Sequence, residues 1–273
     1  MRVAQLIFTE DRDDPRLDDF RDLSTADRRP DRPGGKGLVI AEGTVVVGRM
    51  LESRYPVRAL LGVERRFREL DHALARVDVP AYVTSAETMA EVVGFHLNRG
   101  VLAVADRPAP PTVAEVVGGA DVVAVLEGVG DHENLGALFR NAAALGVGGV
   151  LLGPGCSDPL YRRSVRVSMG HVLRVPFTGV DAWPGGLDLL RAQGFRVAAL
   201  TPRAGSVPLR AVREHAPGRI ALLFGAEGPG LTEEALAAAD LAVRVPMAPG
   251  VDSLNVATAA AVAFYELQAA VAR

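Results

Sequence analysis

Val245-Pro246-Met247-Ala248-Pro249-Gly250-Val251-Asp252-Ser253-Leu254-Asn255-Val256 joins two apolar runs and decides how the rest of the chain is read. Residues 241–245 before it have the apolar character of a short buried strand. Residues 255–272 after it have the length of a helix, and that helix is rich in small side chains: Ala257, Thr258, Ala259, Ala260, Ala261 and Ala263. Small side chains let a helix backbone approach its neighbour closely, as they do in membrane helix pairs. Pro249-Gly250 provides the turn between the runs. Two earlier blocks have the same construction. Phe224-Gly225-Ala226-Glu227-Gly228-Pro229-Gly230-Leu231 closes an apolar strand over 220–224 and leads into a helix over 232–239. Asn134-Leu135-Gly136-Ala137-Leu138-Phe139-Arg140-Asn141 lies in a helix over 133–145, ended by Gly146. Each block sets polar or glycine-rich residues at the end of a buried element, where α/β proteins bind ligands.

Outward from these blocks, residues 121–126, 149–152, 172–177, 195–200, 220–224 and 241–245 are apolar runs of strand length. Helical patterns separate several of them, one of these at 187–193. Continuous apolar strands alternating with helices predict an α/β fold with a parallel sheet. Upstream, strands are expected at 38–41, 57–63, 81–84 and 101–105. Helices are expected at 15–23, 44–53 with Gly43 near its cap, 63–76, and from the N-cap Ser85 onward. These elements predict a small α/β sandwich. Residues 28–35 read as a turn-rich segment. Asp106-Arg107-Pro108-Ala109-Pro110-Pro111-Thr112 is a stiff, proline-rich connector. The division that follows is an N-terminal domain over 1–105, a linker over 106–112 and a second domain over 113–273.

Composition narrows the function. The chain has 273 residues, 49% of them hydrophobic, and a net charge of −3. No apolar run reaches the length of a membrane span, and the first residues are too short an apolar stretch for a secretory signal. Cys156 is the only cysteine, which excludes an intramolecular disulfide and a multi-cysteine zinc site. A reducing, cytoplasmic setting is the simplest reading. Residues 28–76 carry eleven basic and six acidic side chains, against four and eight in residues 1–27, so the middle of the N-terminal region is locally positive. Lys36 is the only lysine, and every other basic side chain is arginine.

Gly128 and Gly130 begin a dinucleotide fingerprint, but Glu133 stands where the third glycine belongs, and no P-loop sequence occurs anywhere. An ordinary nucleotide enzyme is therefore disfavoured. Asn134 opens the helix, and Arg140, six residues on, lies off its apolar stripe. Glu227 sits among Gly225, Gly228 and Gly230, which permit close backbone approach to a ligand.

In this order the three blocks, N-x-G-x-x-x-R, G-x-E-G-x-G and P-M-x-x-G-x-x-S-L-N-V, resemble the motifs of the SpoU (TrmH-like) branch of the SPOUT RNA methyltransferases. The resemblance covers residues 121–273. It implies a parallel-sheet α/β catalytic domain whose C-terminal segment forms a deep trefoil knot. Residues around Ala41-Glu42-Gly43 are similar, more loosely, to the small ribosomal-protein-like RNA-binding domain that precedes it in many ribosomal RNA methylases.

The implied reaction is methyl transfer from S-adenosylmethionine to a ribose 2′-hydroxyl of RNA. Ribosomal RNA is favoured over transfer RNA; the alternative is a non-catalytic RNA-binding or ribosome-assembly factor. The resemblance puts the cofactor at Leu200, Thr201, Phe224, Gly225, Glu227, Gly228, Val245, Pro246, Met247, Ser253, Leu254 and Asn255. It makes Arg140 the catalytic residue, with Asn134, Ser253 and Asn255 positioning it and the ribose, and Glu227 orienting the loops. Guanidinium is essentially always protonated, so Arg140 acts either as the assigned base or as an electrostatic stabiliser of phosphate and alkoxide. No metal is implied, because a sulfonium is already a good leaving group. The resemblance also implies a homodimer paired through the catalytic domains, with Arg166 a candidate to serve the partner's site. Arg65, Arg66 and Arg166 are the candidate RNA contacts. Ala257 stands where relatives often have serine, and Met169 and His171 where small residues are common; none of these removes a motif residue.

Overall fold

The computed structural model describes residues 4–23, 27 and 35–268. In chain order its regular elements begin with β1 (Gln5–Phe8), β2 (Val39–Glu42), α1 (Thr44–Leu51), β3 (Val57–Gly62), α2 (Glu64–Glu69), α3 (Asp71–Leu74), β4 (Pro80–Val83), α4 (Ala86–Val93) and β5 (Val101–Ala105). There follow α5 (Val113–Val117), β6 (Val122–Leu126), α6 (His132–Ala144), β7 (Val150–Leu152), α7 (Arg162–Val167) and β8 (Phe177–Gly179). The chain continues with α8 (Asp188–Ala192), β9 (Phe195–Leu200), β10 (Val207–Pro208), α9 (Val212–His215), β11 (Arg219–Phe224), α10 (Glu233–Ala237), β12 (Leu241–Arg244) and α11 (Val256–Leu267).

The chain forms two compact units. One comprises Met1–Ala109 with Asp158–Arg174; the other comprises Pro110–Ser157 with Val175–Arg273. Residues 158–174, which the sequence division leaves in the second domain, thus pack with the first unit. The reason is local: α7 buries Ser164 and Val165, and the backbone N–H of Arg162 donates to Asp27 Oδ2 at 2.7 Å.

The first unit is a five-stranded sheet in the order β1-β4-β3-β5-β2. Strands β1, β4 and β3 run parallel, and β5 runs antiparallel to β3 and β2. Leu17, Phe20, Ile40, Leu61, Met89, Leu102 and Val104 form its core. Gly43 (φ +87°) starts α1, and the Ser85 hydroxyl caps α4 by accepting from Thr88 N at 3.1 Å.

The second unit is a wholly parallel seven-stranded sheet in the order β10-β12-β9-β11-β6-β7-β8. Every residue of β6 is buried, and β11 is buried beyond its first residue. Such strands must lie mid-sheet with both faces covered, and they do. One face is packed by Val116, Leu187, Leu190 and Ala235 against Val123, Val125, Val197 and Leu223. Elsewhere in the unit, Phe264 of α11 packs edge-to-face on Phe224, with ring centroids 5.6 Å apart. Ala257, Ala260 and Ala263 are buried, so α11 uses its small side chains as contact surface. The Asn141 amide ties α6 to α11 by donating to Ala257 O at 2.9 Å.

Several expectations need correction. Residues 172–177 are not a strand. Gly170 (φ +82°) turns the chain into a 3-10 turn, His171–Leu173, and the edge strand β8 begins only at Phe177. The helix expected over 63–76 breaks at Leu70 (φ −101°, ψ 5°) into α2 and α3. Residues Pro15–Phe20 form a 3-10 helix rather than an α-helix over 15–23. Strands β1 and β10 and helices α5 and α9 have no counterpart in the sequence reading. Of the turn-rich segment 28–35, residues 28–34 lie outside the described residues, as do the last residues of the helix expected over 255–272.

Candidate active site

The site grows from one edge of the second unit's sheet. Strands β12, β9, β11 and β6 lie side by side and parallel, so the segments that leave them emerge together at their C-terminal ends. In the loop after β11, a Cβ on Gly225 would lie 2.3 Å from Gly230 C and Leu231 N. Only glycine lets the loop fold back this tightly. Gly128, after β6, has φ +71°, and a Cβ there would lie 2.9 Å from the Ala226 side chain. The β6 and β11 loops are therefore pressed against each other.

Between the loops that follow β9 and β11 and the chain over 245–256 lies a cavity of about 710 Å³. Eleven of the twelve residues expected to hold the cofactor line it: Leu200, Thr201, Phe224, Gly225, Glu227, Gly228, Val245, Met247, Ser253, Leu254 and Asn255. Pro246 does not line it; its neighbours Val245 and Met247 do. A second cavity of about 160 Å³ is lined by Gly128, Val129, Gly130, Asp131, Asn134, Ala226, Glu227 and Val256. Ala226, Glu227 and Val256 belong to both, so they form the common wall.

At that wall three expected residues from three distant blocks meet. The Asn255 side-chain amide donates to Asn134 Oδ1 at 2.7 Å and to Glu227 Oε1 at 2.6 Å. Asn255 Oδ1 caps α11 by accepting from Thr258 N at 3.1 Å. Asn134 is set by its own cap, since Asp131 Oδ1 accepts from the backbone N–H groups of Glu133 and Asn134, each at 2.9 Å. A single amide therefore starts one helix and links the first turn of another to the glycine-rich loop.

The remaining expected residues stand apart from this bridge. Ser253 lines the larger cavity, but its hydroxyl donates to Asp252 Oδ1 at 3.3 Å. Arg140 is exposed on α6, lines neither cavity, and has no hydrogen-bond or ion-pair partner among the described residues. In the first unit, Arg65 is exposed, Arg66 Nη1 donates to Glu69 at 2.9 Å, and Arg166 Nη1 lies 3.7 Å from the buried Glu42.

Sequence reasoning missed Glu127, which is 4% exposed at the end of β6. Its carboxylate accepts from Trp183 Nε1 at 2.6 Å, from Thr232 N at 2.9 Å and from the Thr232 hydroxyl at 2.8 Å. Thr232 in turn caps α10. Glu127 thus clamps the far end of the loop that carries Glu227. The available signal was an acid directly after five apolar strand residues, a position where burial demands partners. Arg203 and Asp252 of the larger cavity were also missed. Arg203 Nη1 donates to Glu233 Oε2 at 2.9 Å and Nη2 to Glu233 Oε1. This pairing raises the guanidinium pKa and lowers that of the carboxyl. Burial pushes the Cys156 thiol pKa up, favouring the neutral form.

Comparison with known proteins identifies the family and the fold. Residues 121–265 match the SpoU rRNA Methylase family. The chain is 61% identical to the uncharacterized tRNA/rRNA methyltransferase Rv0881 of Mycobacterium tuberculosis, over 94% of this chain and 89% of that one. It is 29% identical to the 23S rRNA (guanosine(2553)-2′-O)-methyltransferase RlmP of Bacillus subtilis, over 70% and 73% of the two chains. Among solved structures, the SpoU methyltransferase AviRb of Streptomyces viridochromogenes, in complex with AdoMet, superposes with a TM-score of 0.76. That match covers 93% of this chain and 96% of AviRb at 24% identity.

Proposed function

Because the chain belongs to the SpoU rRNA methylase family of RNA methyltransferases, we propose that it methylates a ribose 2′-hydroxyl of RNA, ribosomal RNA in particular, using S-adenosylmethionine. The observation that carries this reading is the Asn134–Asn255–Glu227 bridge standing between two adjoining cavities. One cavity is large enough for a nucleoside-sized donor, and the smaller one opens on the same wall.

The residues present suit the donor. Leu200, Phe224, Leu231, Val245 and Leu254 offer apolar surface for an adenine ring, and Glu227 and Asp252 face the cavity with negative charge. The chemistry supplied by the bound donor is an electrophilic methyl group on a sulfonium. The chain's own part is to orient and to stabilise charge. Asn255 fixes Glu227 and Asn134, so the common wall is set before RNA arrives. Arg140, exposed and unpaired among the described residues, is available to an RNA phosphate and to the alkoxide that develops on the ribose. That electrostatic role suits a guanidinium better than proton abstraction does.

The same reading extends to the rest of the molecule. The segment after β12 closes a deep trefoil knot around the cavity, and two copies pair through their catalytic units. Val262 and Tyr265, exposed apolar residues on α11, support such pairing, with Arg166 offered to the partner's site. The first unit, whose five-stranded sheet precedes the methylase segment, acts as the RNA-binding domain, with Arg65 and Arg66 as contacts. The setting is cytoplasmic; among the described residues no helix is long and apolar enough to cross a membrane.

The test is to incubate the purified protein with labelled S-adenosylmethionine and separate pools of ribosomal and transfer RNA, then map any 2′-O-methyl mark by nuclease digestion. Label in the ribosomal pool is expected. Label in transfer RNA alone would move the substrate assignment. Donor binding with no transfer to either pool would favour a non-catalytic RNA-binding factor.

A further inference from the structure

The wall of the larger cavity has a charge pattern that the reaction alone does not require. Arg203 is its only cation among the described residues, and Glu227 and Asp252 are its carboxylates. S-adenosylmethionine presents the complementary set: a carboxylate against an ammonium and a sulfonium. Arg203 follows β9 by three residues, and its side chain is 51% exposed. Its contact with Glu233 runs through Nη1 and Nη2, end-on. A guanidinium carries five N–H donors in a planar fork, so this contact leaves the edge formed by Nε and the second Nη2 proton without a partner among the described residues. That edge can hold another carboxylate in a bidentate pair.

We propose that Arg203 is the carboxylate anchor of the donor site: its Nε–Nη2 edge binds the α-carboxylate of the methionyl end, with Asp252 and Glu227 opposing the donor's positive groups. Glu233 is then a positioning residue that holds the guanidinium by its Nη1 and Nη2 end. The inference rests on reading this cavity as the S-adenosylmethionine site and adds the subsite that tells amino-acid-bearing nucleosides from those without one.

The test uses calorimetry on the full chain with S-adenosylmethionine and decarboxylated S-adenosylmethionine, which lacks only the carboxylate. The wild type is expected to prefer the first by about tenfold or more, the scale of a charge-assisted bidentate contact at a half-exposed site. Arg203→Gln should erase that preference by weakening S-adenosylmethionine while leaving the decarboxylated ligand within about twofold. Arg203→Lys, which keeps the charge but not the fork, should fall between. Equal weakening of both ligands in Arg203→Gln would show a merely structural role and overturn the proposal. A wild type that binds both ligands equally would overturn it too. A wild type that binds neither would instead overturn the donor-site reading on which it rests.

Discussion

Asn255 does two jobs with one amide, and exchanging atoms rather than deleting them separates the two. Its Oδ1 caps α11, and its Nδ2 bridges Asn134 and Glu227. Asn255→Asp keeps the cap, because aspartate caps helices about as well as asparagine. It replaces the bridging donor by an oxygen facing Asn134 Oδ1 and Glu227 Oε1, formerly at 2.7 and 2.6 Å. Both bonds from Nδ2 are lost, but the Asn134 amide can turn to donate to the new carboxylate, so the net loss is the bond to the charged Glu227, about 1 kcal/mol after discounting for exposure of both side chains. Like charges about 4 Å apart in water add about 1 kcal/mol more. Asn255→Asp should therefore lower the unfolding free energy by about 2 kcal/mol, read from the urea midpoint at constant m-value. The penalty should shrink as the pH falls, because two carboxylates this close share a proton and one apparent pKa rises. The double variant Asn255→Asp with Glu227→Gln reverses the polarity of the bridge: the introduced glutamine would donate and the introduced aspartate accept, and the Asn134 amide can turn to donate. It should recover at least about 1 kcal/mol of the loss. A double variant no more stable than Asn255→Asp alone would refute the bridge as a directional hydrogen bond.

Three further outcomes follow from the same geometry. Glu127→Gln places an NH₂ group against partners that are all donors, Trp183 and Thr232. It should cost about 2–3 kcal/mol in urea unfolding; a change under about 0.5 kcal/mol would remove the clamp assigned to this residue. Arg140→Ala should leave stability and donor affinity unchanged, because the side chain is exposed and lines neither cavity, yet lose most methyl transfer. A fall in donor affinity matching the fall in turnover would contradict the assigned role. In the first unit, Asp14 is held well below the usual carboxylate range by hydrogen bonds from Arg16. A lowered folded-state pKa gives stability that is present above the unfolded pKa, about 4, and lost as the pH falls through the folded value. The stability gap between wild type and Asp14→Asn should accordingly be flat near neutrality and narrow in acid; a gap that widens in acid would reverse the sign of this argument.

Much of the second unit is legible along the chain. Its mid-sheet strands announce themselves as unbroken apolar runs, because a parallel strand covered on both faces has no polar side to show. The three blocks at the ends of these elements are legible for a related reason. Glycine, proline and a polar residue after an apolar run mark a turn at a strand end, and ligand-binding groups gather there in α/β folds. Eleven of the twelve residues expected around the cofactor do line one cavity. The misses are those whose signal is not local. Residues 172–177 have strand composition, but Gly170 turns the chain away before they can pair. Strand β10, of two residues, exists only because β12 offers it an edge. Helix α7 carries no sequence mark of packing with the first unit.

The sequence by itself determined which segments are buried, where they turn and which residue types stand at those turns, since burial and turning are set by side-chain chemistry over a few neighbours. Only the tertiary structure decided that Asn255 bridges Asn134 and Glu227, 121 and 28 residues away, that Glu127 satisfies Trp183 and Thr232, and that Arg203 reaches the cavity wall. A hydrogen bond depends on positions to within a fraction of an ångström. For residues this far apart in the chain, that spacing is set by how the strands order and pack, which no local pattern encodes.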